Sequence, residues 1–115
     1  MKKENIVKSS EEFTRIIKTV KPERFKGYLV FVEFNHDDHF EFGISVSKKV
    51  GNSVTRNRIK RQFKSILSKN NYQKNFKCII IIKKEALENS YQELEKELNN
   101  YFSKINILEE RNEKI

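Results

Sequence analysis

Arg56, Asn57, Arg58, Lys60 and Arg61 fall within two helical turns, and their chemistry suits one class of ligand. An arginine fork holds a phosphate through two hydrogen bonds at once. An asparagine between arginines can bond to a base edge or to a ribose 2′-hydroxyl. Just upstream, Gly43, Ser45 and Ser47 alternate along a strand to give a small, polar face, flanked by Lys48 and Lys49. A sugar–phosphate chain can approach such a face closely. The turn Gly51-Asn52-Ser53 then leads into a helix N-terminus, whose free N–H groups and positive dipole end favour phosphate. Lys64 adds a further cation one turn on.

The charge around these residues is lopsided. Of 24 Lys and Arg residues, 12 lie between Phe42 and Lys84, a stretch with no acid at all. The remainder holds 12 basic and 16 acidic residues, so the net +8 is a cationic segment set in a slightly acidic chain. With no carboxylates nearby, intrahelical salt bridges cannot account for the arginines. A self-repelling surface of this kind serves a polyanion better than it serves stability.

Other chemistry is thinly represented. Phe13 and Phe31 are the aromatic candidates for stacking on bases, worth roughly 1–3 kcal/mol per base where the geometry exists. Phe31 is out of phase with Tyr28, Val30, Val32 and Phe34, so one set packs in the core while the other faces a cleft. Phe13 lies on an apolar helix face, where core packing is the commoner outcome. His36-Asp37-Asp38-His39 has the residue types of a zinc site but sits at a polar turn between strands. No nucleophilic triad or paired-carboxylate site is evident, and Gly51-Asn52 lacks the continuation of a phosphate-binding P-loop. The expectation is a chain with no catalytic or metal-ligating residues of its own. Cys78, the single cysteine, excludes an internal disulfide and reads as a small buried thiol.

These residues need elements to position them. Ser9-Ser10-Glu11-Glu12 has the form of a capping box, and Phe13, Ile16, Ile17 and Val20 recur at helical spacing, which predicts a helix from Ser10 to Val20. Tyr28–Phe34 and Phe40–Lys48 read as strands, the second alternating Phe40, Phe42, Ile44 and Val46 against its polar face, and together they predict an antiparallel hairpin. A helix over Ser53–Ser68 buries Ile59, Phe63, Ile66 and Leu67, with Arg58, Lys60, Arg61 and Lys64 spread over the other side. Cys78–Ile82 reads as a strand buried on both faces beside a parallel neighbour. Tyr91, Leu94, Leu98, Tyr101, Phe102 and Ile105 mark a last helix, and the tail after Leu108 reads as frayed. A short extra strand near Ile6-Val7 or Lys26 would bring the sheet to four. The predicted fold is an α+β sandwich, a central mixed sheet of about four strands packed by helices, in one domain over residues 1–115. No apolar run is long enough to span a membrane and the N-terminus does not read as a signal peptide, so the expected location is the cytoplasm.

The segment Gly43–Arg61, GISVSKKVGNSVTRNRIKR, closely resembles the signature of the bacterial ribonuclease P protein family, with Arg56-Asn57-Arg58 as its Arg-Asn-Arg box. The likeness extends to Glu12-Phe13 in the first helix, the run Ile79–Ile82 followed by Lys83-Lys84, and a last amphipathic helix. It implies a fold similar to one domain of a small-ribosomal-subunit protein, with a left-handed βαβ crossover. It implies a protein subunit of an endoribonuclease in which a partner RNA, using Mg²⁺, hydrolyses a phosphodiester to free the 5′ end of mature transfer RNA. By resemblance, Arg56, Asn57, Arg58, Lys60 and Arg61 face the catalytic RNA, and Asn52 and Lys64 extend that surface. Phe13, Phe31, Ser45, Ser47 and Lys49, with Lys48, line a cleft for the 5′ leader of the precursor. The expected partners are the RNA subunit and precursor transfer RNA, with no membrane and no small-molecule substrate. The sequence departs from the family pattern in three places. Ile17 stands where a second aromatic often follows, Lys83 where arginine is common, and Glu4-Asn5 where the N-terminus is usually more basic. Two other readings remain open: a ribosomal-type clamp on ribosomal RNA, and a protein-only nuclease using His36, Asp37, Asp38 and His39.

Overall fold

The computed structural model describes residues 1–109. Helix α1 (Ser10–Thr19) starts where Ser9 Oγ accepts the Glu12 N–H at 3.2 Å. Only half of the predicted capping box forms, because the Glu12 carboxylate is drawn away to Lys77 and Arg15. The reciprocal box occurs instead at α3 (Tyr91–Lys104), between Ser90 and Glu93. Helix α2 (Ser53–Ser68) is capped by Asn52, whose Oδ1 accepts the Thr55 N–H at 3.0 Å.

The four strands are β1 (Glu23–Phe25), β2 (Tyr28–Phe34), β3 (Glu41–Val46) and β4 (Phe76–Ile82), in the order β1-β2-β4-β3. Strand β2 pairs antiparallel with β1 and β4, while β3 pairs parallel with β4 through the crossover helix α2. The predicted β2–β3 hairpin does not form; β4 lies between them. Cys78–Ile82 is apolar on both sides, and only a central position covers both sides and satisfies its main chain from two neighbours. Strand β3, with its small polar face, tolerates the edge. It is also shorter than predicted, because Lys48–Val50 tighten into a 3₁₀ turn capped by Ser47. Of the two candidate sites for an extra strand, the one next to Lys26 supplies β1, and Ile6 makes a single parallel bridge to Phe42. The β1–β2 turn requires Gly27, which has φ +87° and lies so close to Ala86 that a Cβ would come within 2.1 Å of its N atom.

One face of the sheet presents Tyr28, Val30, Phe42, Cys78, Ile80 and Ile82 to Ile59, Phe63, Ile66 and Leu67 of α2 and to Leu94, Leu98 and Phe102 of α3. This is the sandwich core, and Cys78 is buried within it, its thiol pushed upward in pKa by desolvation. On the opposite face α1 covers only part of the sheet, through Ile16 on Phe31 and Ile79. The predicted fraying after Leu108 concerns residues outside those described, apart from Glu109, whose N–H donates to Asn71 O at 2.9 Å.

Helix α1 is tied down by charge as well as by apolar contact. Arg15 makes a forked pair with Glu33 on β2 at 2.7 and 2.8 Å, and Lys77 on β4 donates to Glu12 at 2.6 Å. Lys77 and Arg15 hold the Glu12 carboxyl below the usual value near 4.5, and Arg15 does the same for Glu33. A carboxylate whose pKa is depressed by folding contributes stability above its unfolded value, which is lost as pH falls through the folded one. Stability is therefore expected to drop below about pH 4.5. The double variant Glu12→Gln, Glu33→Gln should flatten that drop in urea titrations run from pH 6 to pH 3.

Candidate nucleic-acid interface

Burying Ile59, Phe63, Ile66 and Leu67 fixes the rotation of α2 and leaves its cations on two stripes. Arg58 and Arg61 are exposed and point away from the sheet, with Val54, itself 75% exposed, one turn before Arg58. Arg56, Lys60 and Lys64, four residues apart, run along the other side of the helix, next to the free edge of β3. Lys60 and Lys64 line a notch with Phe13, Gly43 and Ile44, and Arg56, Asn57 and Lys60 line a second hollow with Val46 and Ser53. Nε of Arg56 is buried there without a hydrogen-bond partner among the described residues. Asn57 is exposed between the stripes, and Asn52 is occupied as the helix cap.

The second part of the site is the sheet face left open by α1. The register aligns Ser45 with Ile81 and Ile81 with Leu29, a half-buried row beside the covered row Gly43–Ile79–Phe31. Phe13 is half-buried at the rim and rests on β3 where Gly43 has no side chain. A Cβ at Gly43 would stand 3.0 Å from the Phe13 ring and 2.9 Å from Ile79. Phe31 is only 4% exposed, packed beneath Ile16, so it serves as floor and does not present an open stacking ring. At the end of the strands Ser47, Lys49, Ile81, Lys83, Lys84 and Glu85 surround an open hollow of about 440 Å³. Lys48 lies in the adjoining 3₁₀ turn.

Lys84 lies outside the site residues that the sequence predicts, and Lys83 enters there only as a departure from a family pattern. The signal that could have found them is the parallel pairing of β3 with β4. Parallel neighbours end at the same side of a sheet, so the pair Lys83-Lys84 finishes beside Ser47 and Lys49, with the Ser47 N–H donating to Ile82 O. An assumed β2–β3 hairpin hides that relation.

Electrostatically the surface is open. Of the cations between Phe42 and Lys84, only Lys69 and Lys77 meet a carboxylate within salt-bridge distance among the described residues. Arg56, Arg58, Lys60, Arg61, Lys64, Lys48, Lys49, Lys83 and Lys84 meet none. His39 lies against Glu41, with Nε2 2.9 Å from Oε2, while Asp37 closes a turn on Asn35. Among the described residues no group of three His, Cys, Asp or Glu is placed to hold a metal ion, and no helix is long and apolar enough to cross a membrane.

Sheet, crossover helix and cations that meet no carboxylate among the described residues define a basic α+β module presenting a surface for a polyanion. The ribonuclease P family model matches residues 1–106, and the chain belongs to that family, the protein component of an endoribonuclease. It is 35% identical over 102 residues to the ribonuclease P protein component of Mesoplasma florum, covering 86% of this chain and 93% of the relative. With that of Streptococcus pyogenes serotype M12 it shares 34% over 110 residues, covering 95% and 92%. The solved ribonuclease P protein of Staphylococcus aureus superposes with a TM-score of 0.75 at 28% identity, covering 91% of this chain and 98% of that one.

Proposed function

We propose that this chain grips two RNA strands at once in a ribonuclease P holoenzyme, docking on the catalytic RNA and holding the 5′ leader of precursor transfer RNA. The outward stripe of Arg58 and Arg61, with Asn57 beside it, contacts the catalytic RNA. The open sheet face takes the leader. Ser45 and Ser47 give it a low floor, Phe13 a rim, and Lys48, Lys49, Lys83 and Lys84 neutralise its phosphates. Arg56, Lys60 and Lys64 stand between the two strands, where repulsion between polyanions is greatest.

Bond cleavage then belongs to the RNA. Magnesium ions held by the RNA supply the activation for phosphodiester hydrolysis, and this chain's residues bind, orient and neutralise. The observation that carries the reading is the set of cations on α2 and at the ends of β3 and β4 that meet no carboxylate among the described residues, beside a sheet face of small side chains. Reconstitution tests it. A precursor transfer RNA and a ribonuclease P RNA at low Mg²⁺ should be cleaved slowly alone and much faster with this chain. An equal rate with and without it would refute the reading, as would cleavage by the chain without RNA.

A further inference from the structure

Strand β4 is apolar at every position from Phe76 to Ile82 except Lys77. The Lys77 side chain is only 16% exposed, and drawing an ammonium group out of water on a central strand is costly unless it is paired. The register sets Lys77 between Glu33 on β2 and Glu41 on β3, a charged row on the side of the sheet that carries α1. Two side chains of α1 come down on that row. Glu12 accepts from Lys77 at 2.6 Å, and Arg15 makes its fork with Glu33 at 2.7 and 2.8 Å. Arg15 also reaches Glu12 at 3.3 Å, so the two anchors are joined. Replacing a buried ion pair with apolar side chains is often neutral or stabilising, so such a pair is better explained by the arrangement it selects.

What this one selects is the seat of α1. Ile16 is the one fully buried residue of the helix, resting on Phe31 and Ile79, and apolar contact has no preferred direction. An ion pair at the first turn does have one. Beyond the charged row lies the row Phe31–Ile79–Gly43, and beyond that the open row Leu29–Ile81–Ser45. Phe13, the residue after Glu12, ends over Gly43, where a Cβ would stand 3.0 Å from its ring. A helix displaced along the sheet would carry that ring off its glycine seat and alter the open face beside it.

We propose that Lys77 is a positioning residue for the leader: through Glu12 it fixes the first turn of α1 and so holds Phe13 over Gly43, at the rim of the open sheet face. The proposal rests on the RNA-gripping reading above and adds to it a residue that does not itself touch RNA.

The test uses holoenzyme reconstituted with the RNA subunit, and reads the gain in precursor affinity that a leader brings over the same precursor without one. Lys77→Met should cut that gain about fivefold and leave affinity for the RNA subunit unchanged. Glu12→Gln should cut it by about as much. On a Phe13→Ala background, itself reduced in gain, Lys77→Met should add little. If Lys77→Met fails to fold in urea titrations, Glu12→Gln with and without Phe13→Ala decides alone. A lysine that met leader phosphate directly would be released by Glu12→Gln and raise the gain, which overturns the proposal. An unchanged gain in Lys77→Met overturns it too, as does a loss shared equally by RNA-subunit binding. So does a full further loss on the Phe13→Ala background, or a full gain in Phe13→Ala alone. Wild-type protein that gives no leader-dependent gain overturns the gripping reading instead.

Discussion

Replacing Arg58 and Arg61 together with alanine is expected to weaken binding to the ribonuclease P RNA about a hundredfold. Both side chains are exposed on the outward stripe of α2 and neither meets a carboxylate within salt-bridge distance among the described residues, so their removal leaves no buried charge behind. Each charge-assisted contact is worth about 1.5 kcal/mol, and about 3 kcal/mol in total corresponds to a factor on the order of 100. The salt dependence separates this loss from a folding defect. Two fewer neutralised phosphates should lower the slope of log affinity against log salt by roughly 1.4–1.8. Filter binding from 50 to 500 mM salt reads both quantities. Weakened affinity with an unchanged slope would show that these arginines do not contact phosphate.

The second large effect is on the fold that aims those arginines. Phe63 is fully buried on the underside of α2, its ring edge-on to Tyr28 at 5.3 Å. Phe63→Ala removes the helix's main contact with the sheet and leaves a cavity, for which about 3–5 kcal/mol is expected. For a domain of this size that is a large share of a total of roughly 5–15 kcal/mol. Chemical denaturation should show the midpoint falling with little change in slope. RNA binding measured where the variant remains folded should recover most of its strength, since no RNA-facing group has been removed.

Much of the fold is visible in local pattern. The apolar spacing of Ile59, Phe63, Ile66 and Leu67 sets the rotation of α2, and with it the position of every cation on that helix. The alternation in β3 likewise separates Ser45 from Ile44. What local pattern does not carry is strand order. Tyr28–Phe34 and Phe40–Lys48 look like hairpin partners because they are sequence neighbours, yet the two-sided apolar demand of Cys78–Ile82 outweighs adjacency and draws β4 between them. That one difference explains why local pattern does not bring Lys83 and Lys84 together with Ser47 and Lys49. Phe31 illustrates the other limit. Phase along a strand tells which face a ring is on, and only the placement of α1 tells that this face is covered at that point. Glu12 is similar: its spacing from Ser9 suits a cap, but a lysine 65 residues away competes for it and prevails.

The most direct measurement is precursor affinity as a function of leader length, for the RNA subunit alone and with this chain added. Gripping by the sheet face predicts a protein-dependent gain that grows as the leader lengthens over its first several nucleotides and then levels off, and that shrinks when Lys49, Lys83 and Lys84 are neutralised. A gain of the same size for a precursor with no leader would contradict it.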